Sequence, residues 1–229
     1  MKIFLNSFVF MLFFLFTNVV NSAITSGISL SPTRIVLYPD RTSSIQYNNL
    51  TKVTYLLQAY ITEYNKNDKS KYFAITPPLY RIEPGDSFQF RIENMKNDLP
   101  KDRESVFHIN ILAIPPVTDN SNPSVQFGLN SKIKLFYRPL ELREKYNAEK
   151  LAKELKITST ASSVDIYNPS PFHVTLDSVR IDKRNVKDIK ELMIMPFSEL
   201  VIPAKNAKSI TFTTISDSGV RTKTIEKKI

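Results

Sequence analysis

The residues able to do chemistry are few and scattered. The only two histidines are His108, inside an alternating apolar pattern, and His173, just after a Pro-Ser-Pro turn. There is no cysteine. That removes thiol nucleophiles, cysteine-ligated zinc and disulfides together. A metal centre or a catalytic triad needs several converging ligands, which two distant histidines do not supply. The chain has four glycines and no glycine-rich phosphate loop, no G-x-S-x-G elbow and no H-E-x-x-H helix. No carboxylate pair stands out for hydrolysis. The pattern is that of a non-enzyme without a cofactor.

Two stretches hold charge where a core would not want it. In LPKDRESVF (99–107), Glu104 abuts Ser105-Val106-Phe107. A carboxylate drawn toward a core needs a cationic partner, and Arg138 is a candidate by type. In VQFGLNSKIKLFYRP (125–139), Val125, Phe127, Leu129, Ile133, Leu135 and Tyr137 share one parity. Lys132, Lys134 and Arg138 fall on the other. Such alternation predicts a long strand. Its apolar first half and its cations pose the question of what it pairs with.

The elements that must position these residues are almost all strands. Alternation recurs at 34–38, 53–61, 88–93 and 106–114, with turn-formers between, such as Pro84-Gly85-Asp86. Residues 140–155 are charged and predict a short helix or connector. Strand patterns resume at 155–158, 163–167, 173–181, 199–203 and 209–215. Short strands in two blocks predict an all-β chain of two β-sandwiches. Thr76-Pro77-Pro78 lacks two consecutive backbone donors, so it predicts a rigid turn that can hold a cis bond.

The chain opens MKIFLNSFVFMLFFLFTNVVNSA: Lys2, an apolar run from Phe8 to Phe16, then Ser22 and Ala23. That order predicts a secretory signal peptide over 1–23, cleaved after Ser22 or Ala23. The run is shorter than the ~20 residues a spanning helix needs, so no stable membrane insertion is expected. The mature chain then holds about 206 residues, enough for two domains of about 100 each. The formal net charge is +9 with the lysines dispersed and no Arg-rich run, which disfavours nucleic acid as a partner.

Six stretches carry a resemblance: TRIVLYP (33–39), ITPPLYRIEPG (75–85), LPKDRESVFHINILAIPP (99–116), SKIKLFYRP (131–139), NPSPFHVTL (168–176) and MPFSELVIP (195–203). Together, in this order and over nearly the whole mature chain, they resemble the periplasmic pilus-assembly chaperones of the chaperone–usher pathway (PapD-like). The resemblance implies two immunoglobulin-like β-sandwich domains in a boomerang arrangement, over 24–139 and 140–229. It implies a periplasmic chaperone that caps pilin subunits by donor-strand complementation and delivers them to an outer-membrane usher. Arg34 and Lys134 match the family's pair that grips the subunit's C-terminal carboxylate. Val125, Phe127 and Leu129 match the donor residues. Glu104, Arg138 and Asp217 match a structural ionic cluster between the domains.

Three features depart from that pattern. Lys134 has the opposite parity to the donor residues, which predicts a bulge or a site at the strand's edge. The family's glycine-rich ending is reduced here to Ser218-Gly219-Val220, and the charged stretch 182–192 has no assigned role. The rival expectation is an exported structural or adhesive subunit. It would need its own N-terminal alternating apolar strand to donate, and ITSGISLSPT (24–33) is poor in that.

Overall fold

The computed structural model describes residues 27–116, 127–187 and 192–229. The expected signal peptide at 1–23 and the expected donor residue Val125 lie outside the described residues.

Nine described strands build the first sandwich. They are β1 (Ile28–Ser31), β2 (Arg34–Leu37), β3 (Ser43–Asn49), β4 (Tyr55–Glu63), β5 (Phe73–Thr76), β6 (Leu79–Ile82), β7 (Ser87–Asn94), β8 (Ser105–Ile114) and β9 (Leu129–Tyr137). One sheet runs β1-β3-β7-β5 and the other β2-β9-β8-β4-β6. The inward parity of each strand supplies the core, with Ile45, Phe90, Ile92, Ile109, Ile111 and Leu135 almost fully buried. The core-facing side chains alternate with exposed ones because neighbouring residues of a strand point to opposite faces.

The first edge strand changes sheets. β1 pairs with β3, the chain turns at Pro32, and β2 then pairs with β9 in the other sheet. This β2–β9 pair is parallel, whereas all other pairings are antiparallel. The turn expected at Thr76-Pro77-Pro78 is present, and its Thr76–Pro77 bond is cis.

The charged stretch after Pro139 forms a short 3-10 turn (Leu140–Lys145) and a helix α1 (Ala148–Glu154). Asn147 caps α1, its side-chain oxygen accepting from the Lys150 amide at 3.0 Å. The second sandwich follows, with β10 (Lys156–Ser159), β11 (Ser163–Tyr167), β12 (Val174–Ile181), β13 (Arg184–Asn185), β14 (Met193–Ile194), β15 (Glu199–Pro203), β16 (Ser209–Thr214) and β17 (Ile225–Lys228). Its separate core includes Val164, Ile166, Phe172, Ile202, Ile210 and Phe212. Two cores in two sandwiches match the all-β expectation. Among the described residues no helix is long and apolar enough to cross a membrane.

Candidate functional site

The site begins with an edge. β8 pairs with β9 along its whole length, from Ala113↔Leu129 to Ser105↔Tyr137. On the other side β2 covers β9 only from Lys134 to Tyr137. No described strand pairs with that side between Leu129 and Ile133. A row of backbone donors and acceptors is therefore left open, a template for strand addition. Two large apolar side chains stand at its start, Phe127 82% exposed and Leu129 54% exposed. They continue the parity of Ile133, Leu135 and Tyr137, which pack on the first core. Phe127 and Leu129 lie past the end of that core, so the described residues of their own domain leave them uncovered.

The open edge stops at two cations. Arg34 of β2 and Lys134 of β9 are register partners on the outer face of the sheet. The β8–β9 register runs without a shift, so the bulge expected from the parity of Lys134 is absent. Arg34 and Lys134 instead occupy the opposite face from Phe127 and Leu129, where β2 meets the edge. Arg34 Nη1 donates to the Ile215 carbonyl at 3.2 Å, and its guanidinium lies 5.7 Å from the Phe136 ring centre. Burial and the neighbouring Arg34 push the Lys134 ammonium down to about 8. Burial likewise lowers Arg34, despite the acidic groups nearby. Two like charges, partly dried and side by side, are each stabilised by an arriving anion.

The same row continues across the sheet. Lys134 faces His108 on β8, and His108 faces Thr62 on β4. The next row, Val36, Phe136, Val106 and Tyr64, packs on Met193 of the second sandwich. The cations thus line the face beside the contact between the domains.

A buried ionic knot holds that contact. Arg138 Nε donates to Glu104 Oε1 at 2.7 Å, and its Nη1 and Nη2 donate to the two Asp217 oxygens at 2.8 and 3.0 Å. The guanidinium also lies 4.3 Å from the Tyr146 ring centre. Glu104 Oε2 accepts from the His173 amide at 2.8 Å, with the His173 Nδ1 at 3.2 Å. Arg138 and Glu104 are 2% exposed and Asp217 31%. Burial alone would raise the Glu104 carboxyl. The His173 hydrogen bond and the Arg138 charge outweigh it and hold Glu104 below the ordinary range. The fork of Arg138 matches both carboxylates geometrically, so the pair also fixes orientation. At the same seam Gly219 has φ +79°, and a Cβ there would stand 2.5 Å from Thr33 Oγ1.

The structure thus brings Arg34 together with Lys134, and Glu104 with Arg138 and Asp217, while Phe127 and Leu129 lie at the open edge. Sequence reasoning missed His173 as the fourth member of the knot. It also left His108 without a place, although its parity in VFHINILAI already put it on the outer face. Among the described residues no group of three or more His, Cys, Asp or Glu could hold a metal.

The chain has relatives among known proteins over most of its length. Residues 27–143 match the family model "Pili and flagellar-assembly chaperone, PapD N-terminal domain", and 150–226 match "Pili assembly chaperone PapD, C-terminal domain". The chain is 31% identical over 208 residues to chaperone protein LpfB of Salmonella typhimurium, covering 88% of each. It is 35% identical over 204 residues to the probable fimbrial chaperone protein ElfD of Escherichia coli K12, covering 86% of this chain and 84% of the relative. The E. coli chaperone DraB superposes with a TM-score of 0.78 at 27% identity, over 89% of this chain and 97% of DraB. The Salmonella enterica SafB chaperone, solved with SafA pilin, shares the fold at a TM-score of 0.81 and 23% identity, over 89% and 96%.

Proposed function

The chain belongs to the PapD-like pilus-assembly chaperones of the chaperone–usher pathway, and from that premise we propose that it captures pilin subunits on the open edge of β9. The observation that carries this is the open edge ending at Arg34 and Lys134. The added strand's direction follows from that geometry. Its body lies along Leu129–Ile133, and β2 blocks the edge from Lys134 onward. A strand whose C-terminal carboxylate meets the two cations must therefore run parallel to β9. Backbone hydrogen bonds supply the pairing, as in other cases of β-augmentation. The cations set its register by fixing where the chain ends.

Phe127 and Leu129 fill the groove that a pilin missing its last strand leaves open. Val125, of the same parity in the sequence, is the third expected donor residue. Burying an exposed Phe and an exposed Leu is worth about 1.5–3 kcal/mol each. The ionic knot of Glu104, Arg138 and Asp217 is structural: it holds the second sandwich beside the cation row without touching the subunit. Domains at 24–139 and 140–229, behind an export signal at 1–23, put the protein in the periplasm. Delivery to an outer-membrane usher completes the cycle, with the lent strand displaced by the next subunit's own strand. The rival reading, an exported structural or adhesive subunit, is not favoured, because the curated relatives are chaperones over nearly their full length.

The test is co-purification from periplasm. Arg34→Ala and Lys134→Ala should each lose the bound subunit while unfolding at the wild-type temperature. Wild-type amounts of subunit with both variants would defeat the reading.

A further inference from the structure

Five buried side-chain polar atoms lack a hydrogen-bond partner among the described residues, and two of them sit together beside Lys134: His108 Nδ1 and Tyr64 Oη. A buried polar atom without a partner is destabilising, and a native structure that keeps one needs a reason. Here the two side chains are stacked, with ring centres 4.7 Å apart and planes at 27°. The Lys134 ammonium lies 6.0 Å from the Tyr64 ring centre. His108 is also the cross-strand partner of Lys134, and it is only 7% exposed. Opposite side chains of an antiparallel pair stand about 4.5–5.5 Å apart at Cβ. His108 thus neighbours Lys134 on the outer face of the sheet, and Tyr64 stacks on His108.

An arriving carboxylate presents about four acceptor sites. Arg34 already gives one of its donors to Ile215. Arg34 and Lys134 approach from one side, and a carboxylate sheltered here can also accept from donors on the far side of Lys134. We propose that Tyr64 Oη and His108 Nδ1 complete the ligand set of the client's C-terminal carboxylate, donating to it from the side of Lys134 opposite Arg34. This deepens the subunit-capture reading and rests on it. The imidazole suits the task because it stays uncharged: burial, then Lys132 and Lys134, push it down to about 4. A neutral ring adds no third positive charge beside Arg34 and Lys134 and can still donate from Nδ1. The phenol donates in the same way. Orphaned before capture and paired after it, the two groups favour a chain that ends here over one that continues.

The probe is a synthetic strand peptide of alternating valine and threonine, capped with a fluorophore at its N-terminus and ending in a free carboxylate. Its C-terminally amidated twin is the comparison. Fluorescence anisotropy gives the ratio of the two affinities within each protein, so any loss of folded protein cancels. Wild type should prefer the acid. Tyr64→Phe and His108→Phe keep the aromatic bulk, and each should cut that preference by about tenfold or more, the usual scale for a hydrogen bond to a charged group. His108→Asn places a donor near the Nδ1 position and should recover part of it. An unchanged preference in both Phe variants, with the preference lost in Arg34→Ala, overturns this proposal alone. Equal affinity of wild type for acid and amide overturns the capture reading, and this proposal with it.

Discussion

On the proposed reading, Lys134 makes client capture titrate in an accessible window. Burial and Arg34 hold its ammonium at about 8, against an ordinary value of 10.5. At pH 7 about nine-tenths of Lys134 is charged, and at pH 9 about one-tenth. A bound carboxylate restores the proton, so binding takes up a proton above pH 8. If the charged form is the one that binds, affinity for the free-acid peptide falls about tenfold between pH 7 and pH 9. Neither the carboxylate, ionised throughout, nor His108, at about 4, titrates in that range. Lys134→Arg keeps the charge at all these pH values and should flatten the profile. Stability moves the other way. Between pH 8 and 10.5 the unfolded chain binds more protons at Lys134 than the folded one, so this residue makes the fold more stable as pH rises. A loss of binding at pH 9 therefore cannot be unfolding driven by this residue. Anisotropy titrations at pH 7, 8 and 9 on both proteins are the assay. An equal slope in wild type and Lys134→Arg, or a flat wild-type profile, refutes the reasoning.

Two further outcomes follow from the same geometry. Glu104→Gln breaks a pair that is 2% exposed on both sides and should cost about 3–5 kcal/mol in urea unfolding; because the Glu104 carboxyl is held low, wild type should keep this contribution above pH 4.5 and lose it as pH falls through the lowered value, a step the variant lacks. Phe127→Glu, at a position 82% exposed, should leave the unfolding midpoint unchanged yet leave the subunit open to added protease, and full protection would count against groove filling.

Parity made much of this legible. Strands such as β4, β7, β8 and β16 stood out because alternating apolar residues have little else to do in a two-layer sandwich. The strands that escaped were short or carried few apolar residues. Ser43–Asn49 carries serine, glutamine and asparagine, and Ile225–Lys228 alternates apolar with charged over only four residues. The knot of Glu104, Arg138 and Asp217 could be named because a carboxylate against an apolar strand demands a cation, and the family resemblance supplied the partner from the second domain. His173 was not legible as its fourth member. A hydrogen bond to a backbone amide leaves no trace in residue type, and the Pro171-Phe172 turn that presents it forms only in the fold. The same holds for the stack of Tyr64 on His108, which joins the end of one strand to the middle of another.

The parallel pairing of β2 with β9 explains why opposite parity at Lys134 is no defect. Donor side chains must project into the partner's groove, on the side facing the sandwich interior. The anchor must stay out of that groove, where a lysine would be desolvated without relief. Placing the cations on the outer face satisfies both demands with one unbroken strand and no bulge. It also ties the anchor to the second domain, since Arg34 reaches Ile215 and the next row packs on Met193. Loosening the ionic knot should therefore free the Arg34 guanidinium from Ile215 while β2 and β9 keep Arg34 and Lys134 paired in register, so on the proposed reading the docking of the two sandwiches bears on how the Arg34 side chain is aimed.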